Sequence, residues 1–423
     1  MPGRPHPDRR SNPWVVLLLL LAIYIFNYAD RYLISGLVEP IKAEFGLGDQ
    51  FMGLLMGPAF AVLYTTLGIP IARLADRTSR IAIICTGCLV WTLFTGLSGL
   101  AQGPWTLALA RLGVGVGEAA FVAPAYSLLS AYFASERRGV AFAVLGLATY
   151  FGQITGYVIG PAIAEAHDWR MAFYVMTVPG VVLSGIAWLF VREPARQTAT
   201  TVASQVALPK LLGVLRKSRA FLFSMVAMGL GTLSGISFGL WGPTLFARSY
   251  GLPLKDASTA FGLYFGLAGL AGMLTFGFVS DRMAKAGMDR PLKLAALALL
   301  AATGCIMVVT WSGSFTLARW MAIPSGLLGG GLSIGIMASL QYLLPDRFRA
   351  TATAIFIMVT TFLGFVIGPW ASGAISQVLG DDATSLRLGL TMVIPVGFIG
   401  AACAWRAARY LETDRKLLEL VQA

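Results

Sequence analysis

The stretch LADRTSR, Leu74 to Arg80, and its echo VSDRMAK, Val279 to Lys285, decide how this chain is built. Each follows a long apolar run and sets an Asp-Arg pair where that run ends. From Asp76 to Asp281 the offset is 205 residues. Two more pairs recur at nearly that interval. SERRG (135–139) answers to PDRFR (345–349), 210 residues from Glu136 to Asp346, and GYVIGP (156–161) answers to GFVIGP (364–369), 208 residues from Pro161 to Pro369. Three markers at one near-constant spacing predict two repeated halves.

Composition says where those halves live. Of 423 residues, 57% are hydrophobic and 12% charged, about half the charged share of a globular domain. A soluble protein so composed would expose apolar patches beyond what water tolerates, so most of the chain faces lipid or the interior of a membrane protein. The 48 glycines fit helices that approach closely in a bilayer. Twelve apolar segments can be marked, at 14–38, 51–72, 81–101, 105–129, 139–162, 170–191, 221–246, 258–279, 292–311, 316–340, 351–377 and 387–409. A helix of about 20 residues crosses the hydrocarbon core. The predicted fold is an all-α membrane protein of twelve transmembrane helices in two pseudo-symmetric six-helix halves.

The net charge of +12 does not argue for nucleic acid, because its placement follows the membrane. With both termini in the cytoplasm, 24 of the 32 lysines and arginines fall inside and five outside (Lys42, Arg170, Arg248, Lys255 and Arg387); Arg31, Arg111 and Arg319 lie in spans. That asymmetry is the expected one for a multi-pass protein of the inner (plasma) membrane. The beginning of the chain reads as a basic tail before an uncleaved first helix. The polar, basic stretch in the middle divides the chain into a first half, 1–191, a cytoplasmic linker, 192–220, and a second half with its tail, 221–423. A short surface helix is predicted around 208–215. Cys85-Thr-Gly-Cys88 has redox-like spacing, but its apolar surroundings read as packing, and no disulfide is expected.

Eighteen of the twenty acids fall in loops, tails or helix ends. The exceptions are Asp30, in IFNYADRYLISG (25–36), and Glu118, in ARLGVGVGEAAF (110–121). Each has an arginine in its own span, Arg31 and Arg111. Arg111 and Glu118 are seven apart, so they share one helix face two turns apart. Charges at such depth are expensive and are functional by default. A buried structural salt-bridge network is the alternative, and the two readings overlap in a pair that breaks when its acid is protonated. Asp30 is the first candidate for proton coupling and Glu118 the second. Arg31, Arg111, Asn27 and Tyr28 are candidates for substrate binding or charge pairing. The histidines are excluded, since His6 lies in the tail and His167 in an outside loop.

The second half lacks such a cluster. The register of Glu136 on Asp346 sets Leu328 opposite Glu118 and Met321 opposite Arg111. With Phe238, Trp241, Phe265, Met358, Phe362 and Phe365 in its spans, one cavity wall is expected charged and the other apolar, which suits an amphipathic substrate. At the cytoplasmic side, Asp76, Arg77, Arg80 and Arg137, with Asp281 and Arg282 in the second half, are the candidate gate. An acid at Asp76 can accept from the N-terminal N–H groups of a facing helix, and the start of span 11, near 350–353, is its expected partner. A turn carrying cytoplasmic charges is the alternative.

The Gly-x-Gly-x-Gly pattern at 113–117 has no preceding strand and is not a dinucleotide site. No metal spacing or nucleophile motif points to an enzyme. No cofactor is expected, and the expected partners are a small-molecule substrate, protons and the bilayer, with the protein working as a monomer.

Twelve spans with the loop A-x-x-x-D-R-x-x-R (72–80) resemble the major facilitator superfamily. NYADRY (27–32), LADRTSR, ARLGVGVGEAAF and VREPAR (191–196), in that order, resemble its spinster family over residues 24–196. The resemblance implies alternating-access transport of lysophospholipids or sphingosine-phosphate-like lipids, proton-coupled in several members. It carries the coupling role onto Asp30 and Arg31, and the charged pair of span 4 onto Arg111 and Glu118. Ala72 stands where the superfamily motif often has Gly. The compact chain and short tails look bacterial. The span-5 stretch GQITGYVIGP (152–161) resembles an antiporter motif, so a proton-coupled drug or organic-anion antiporter is the other reading.

Overall fold

The computed structural model describes residues 11–194 and 208–420, and helix is the regular structure throughout them. Twelve stretches are long and apolar enough to cross a membrane: Pro13–Phe45, Asp49–Ala75, Arg80–Gly99, Pro104–Tyr132, Ser135–Ala166, Trp169–Phe190, Arg219–Tyr250, Leu254–Ala284, Arg290–Trp311, Phe315–Leu343, Thr351–Leu379 and Ala383–Glu419. They are spans 1 to 12, and each overlies a predicted segment. The main differences are extensions. Span 1 continues through a tight turn, Ile34–Leu37, into Val38–Phe45. Span 12 continues past residue 409 because Leu411 and Leu418 remain buried while Arg409, Glu412 and Lys416 face outward. That segment is amphipathic, not a membrane run, and hydropathy alone cuts it off.

The helix Leu208–Leu215 has the predicted limits, and it buries Leu211 and Leu215 against the second half. The basic tail, residues 1–10, and the linker portion 195–207 lie outside the described residues.

Spans 1–6 pack mainly among themselves, as do spans 7–12. Ser11 Oγ donates to the Phe190 carbonyl, and Asp414 accepts from Ser218 Oγ and the Ala220 N–H. Both described ends of the chain therefore lie on one face, with the span 6–7 connection. The buried apolar side chains form three clusters. Toward the opposite, far face one cluster draws on both halves, with Leu37, Ile41 and Met52 packed with Trp241, Phe246 and Leu390. Toward the termini each half keeps its own cluster, with Phe365 of span 11 joining that of the first half and Ile236 and Val366 packed against it. The halves are thus cemented on the far side.

Glycine brings the helices together. A Cβ on Gly117 would overlap the span-3 backbone at Gly87 and Trp91, and one on Gly156 would sit 2.5 Å from the Ala29 carbonyl of span 1. Cys85 and Cys88 are free thiols buried on span 3, and Cys88 donates to the Gly180 carbonyl.

Candidate functional site

Span 1 is helical from Pro13 to Leu33, so Asp30 and Arg31 occupy its last turn before the backbone tightens. Helical side chains lean toward the N-terminus. Arg31 does so, and its guanidinium donates to Asn27 Oδ1 one turn back at 3.2 Å. This direction carries it toward Glu118, which accepts from Arg31 Nε at 2.5 Å. Asp30 points elsewhere and accepts from Arg111 at 2.9 Å. The pairing is therefore crosswise between spans 1 and 4, and neither acid bonds the arginine of its own span. All four residues are at most 4% exposed.

Span 4 explains the placement of Glu118. Its first helix, Pro104–Glu118, ends at that residue, and a second, Val122–Tyr132, starts after a three-residue break. The carbonyl end of a helix carries partial negative charge and favours a cation, which Arg31 supplies. The Arg31 guanidinium is also boxed by the rings of Tyr28, Phe60 and Tyr64, at 4.7, 4.7 and 4.5 Å from their centroids. Such cation–π contacts strengthen when desolvated. Two acids and two bases sum to zero, so the low-dielectric interior holds no net charge.

The cluster is not saturated. Asn27 Nδ2, Asp30 Oδ1, Arg111 Nε and Glu118 Oε1 are all buried and have no hydrogen-bond partner among the described residues. Buried polar atoms are usually paired. Here each acid keeps one oxygen open to a proton or an entering polar group.

The residues expected at the gate are distributed differently. Asp76, Arg77, Arg137, Asp281 and Arg282 are exposed. Neither Asp76 nor Arg77 makes a side-chain hydrogen bond or ion pair among the described residues, and no bond from Asp76 to the start of span 11 is formed. Arg80 is placed apart from the other expected gate residues. It is buried within the first half, donating to Glu193 at 2.6 Å and to the Ser127 carbonyl at 3.2 Å. Glu193 also accepts from the Ile81 N–H and from Ser79 Oγ, both at 3.1 Å. The VREP segment thus holds the start of span 3. Arg80 is spent there because span 6 ends beside it, a neighbourhood that spacing did not reveal.

Phe238 and Trp241, expected on an apolar cavity wall, are wholly buried in the shared far-side cluster, where Trp241 Nε1 donates to the Pro369 carbonyl. Phe365 packs edge-on against Phe60, one of the rings that box Arg31. The apolar side of the second half does reach the charged cluster, through span 11.

A second polar cluster was not anticipated. On the far side, Asp49 at the start of span 2 is fully buried. Its carboxylate accepts twice from Arg248 of span 7 at 2.7 Å, once from Lys42 at 2.7 Å and once from Ser376 Oγ of span 11 at 2.7 Å. Lys42 also bonds Asp381, Arg248 bonds Glu39, and Lys255 pairs with Glu165. The signal was present in the charge count. Far-side cations are few, and all five have partners, Arg170 with Glu44 and Arg387 with Ser249 completing the set.

The comparisons with known proteins agree with this architecture. The Major Facilitator Superfamily profile matches residues 20–369. An MFS-type efflux pump of Mycolicibacterium smegmatis is 31% identical, over 96% of this chain and 95% of its own. Human protein spinster homolog 1 is 28% identical, over 96% and 82%. In fold, the chain superposes on a bacterial homolog of the human lysosomal transporter Spinster in its inward-facing occupied and unoccupied conformations. The TM-scores are 0.83 and 0.85 at 23% and 22% identity, over 97% of this chain and 99% of each structure. The chain belongs to the Major Facilitator Superfamily of membrane transporters, as a relative of its spinster members.

Proposed function

We propose that this protein is a proton-coupled secondary transporter that moves an amphipathic lipid, such as a lysophospholipid or a sphingosine-phosphate-like molecule, by alternating access. The single observation that carries the coupling is the crosswise, net-neutral quartet of Asp30, Arg31, Arg111 and Glu118 with one unpartnered oxygen on each acid. Protonation of Asp30 frees Arg111, and protonation of Glu118 frees Arg31. Either freed guanidinium then offers a phosphate charge-assisted hydrogen bonds. Asp30 is the leading switch and Glu118 the second, while Asn27 and Tyr28 steer Arg31.

The division into two halves and a linker supplies the moving bodies. With both termini cytoplasmic, as the distribution of Lys and Arg supports, the shared far-side core fits an inward-facing state. The gate of Asp76, Arg77, Arg137, Asp281 and Arg282 is assigned to the opposite state, in keeping with these side chains being exposed and unpaired among the described residues. The lipid substrate is supported by the contrast between the charged, tyrosine-rich first half around Arg31 and the apolar approach of span 11 through Phe365.

A drug or organic-anion antiporter is the second reading, favoured by the efflux-pump relative and by the 152–161 stretch.

The test is uptake of a labelled lysophospholipid into proteoliposomes under an imposed pH gradient, with wild type beside Asp30→Asn. Gradient-driven uptake lost in the variant supports the proposal. Wild-type uptake indifferent to the gradient leaves a uniporter, and no lipid uptake turns the assignment to drugs or organic anions.

A further inference from the structure

A helix begins with backbone N–H groups that need acceptors from outside it. Span 2 begins at Asp49, and its N-cap is Gly48, which has no side chain to offer. The acceptors come from the other half of the molecule. The Asp49 N–H donates to Asp381 Oδ1 at 2.9 Å, and the Gln50 N–H donates to Gln377 Oε1 at 3.0 Å. Gln377 lies so close that a Cβ on Gly48 would overlap its amide. Gly48 is thus both the missing cap and the opening through which the replacement enters.

The span-11 side of this contact is built for it. Asp381 has φ 64°, the one positive value at a non-glycine position among the described residues. That conformation is unfavourable for most side chains, though Asp and Asn tolerate it best. It turns the Asp381 carboxylate to meet both the Asp49 N–H and Lys42 Nζ, the latter at 2.7 Å. Ser376, one residue before Gln377, reaches the buried Asp49 carboxylate.

We infer that span 11 caps span 2 in trans, and that this cap is the far-side latch of the transport cycle. The span-2 helix end is satisfied by protein only while the far side is shut. Opening must strip both acceptors from it and leave water to replace them. A latch of this kind opposes opening without a large barrier, because water is a serviceable second-best acceptor. The inference rests on the alternating-access reading proposed above.

The experiment is pulsed electron-paramagnetic-resonance distance measurement in nanodiscs. Nitroxide labels go on the exposed far-side residues Ala43 and Thr384, in a chain whose four cysteines are replaced. Gln377→Ala is expected to raise the long-distance, far-side-open population about fivefold, the usual worth of one lost cap. Asp381→Asn keeps an acceptor for the Asp49 N–H and should act more weakly than Asp381→Ala. Gly48→Ser is the decisive variant. It expels Gln377 yet gives span 2 its own cap, so it should open the far side with unchanged thermal stability. If wild type shows two populations whose ratio ignores Gly48→Ser and Gln377→Ala, the trans cap is overturned and alternating access stands. A single distance in every variant and at every pH overturns both.

Discussion

Arg31 bonds Glu118, 87 residues away, and not Asp30 beside it. Asp30 in turn holds Arg111 across the same two spans. A quartet paired in this way is self-neutralising only as a whole, and removing one member strands a buried charge at a cost of about 3–5 kcal/mol. Arg111→Met alone should therefore lower the thermal midpoint strongly. Asp30→Leu with Arg111→Met should recover most of the loss, because an apolar pair replaces a buried ion pair at little cost. Transport should remain absent in the double variant. Thermal melts of the two singles and the double measure the coupling, and a double variant as unstable as the worse single would show that the pair is not a unit.

An amide in place of a carboxyl imitates the protonated acid. Glu118→Gln and Asp30→Asn should each loosen the hold on their arginine, since the ion pair is gone, and lose a titratable group. If both acids serve coupling, each variant still exchanges labelled substrate across a membrane without a gradient, while net uptake no longer rises with the imposed pH difference. The variant with the larger loss of gradient response identifies the primary proton site. Full gradient dependence in both would remove coupling from this cluster.

How much of this was readable beforehand follows from the range of the forces. The twelve spans were legible because hydropathy over about 20 residues is a local property. So were Asp30 and Glu118, because a carboxylate deep in an apolar run stands out in one dimension. The crosswise partners were not, since Arg31 and Arg111 were equally available to Asp30 until the lean of side chains along antiparallel helices chose between them. Arg80 shows the same limit. Its motif marked it as a gate residue, but the nearest acid in space was Glu193 at the end of span 6. Asp49 looked like one more loop acid, and only the approach of Lys42, Arg248 and Ser376 from three other spans makes it a buried centre.

The position of Arg80 gives a prediction separable from transport. Glu193 caps the start of span 3 and pairs Arg80 at once, so Glu193→Ala should cost about 1–2 kcal/mol. Arg80→Ala should cost a similar amount, and the double variant little more than either, because both remove one interaction. The response to a pH gradient should persist in all three. Additive losses of stability would show that the two side chains act independently, and loss of gradient response alone would return Arg80 to the gate.

Close approach of spans 1 and 5 supplies the last test. Gly156 faces the Ala29 carbonyl, so Gly156→Ala must push span 1 aside next to Asp30. Overpacking of this kind costs about 1–3 kcal/mol, and the shift should disturb the Asp30–Arg111 pair and depress transport well beyond the loss of folded protein. Gly235 of span 7 has open space around it. There Gly235→Ala should leave transport intact and stabilise by up to about 1 kcal/mol, since alanine is the better helix former. Melting midpoints and uptake per folded molecule, measured side by side, decide the matter. If the two variants behave alike, the glycines of span 5 are not what sets the position of Asp30.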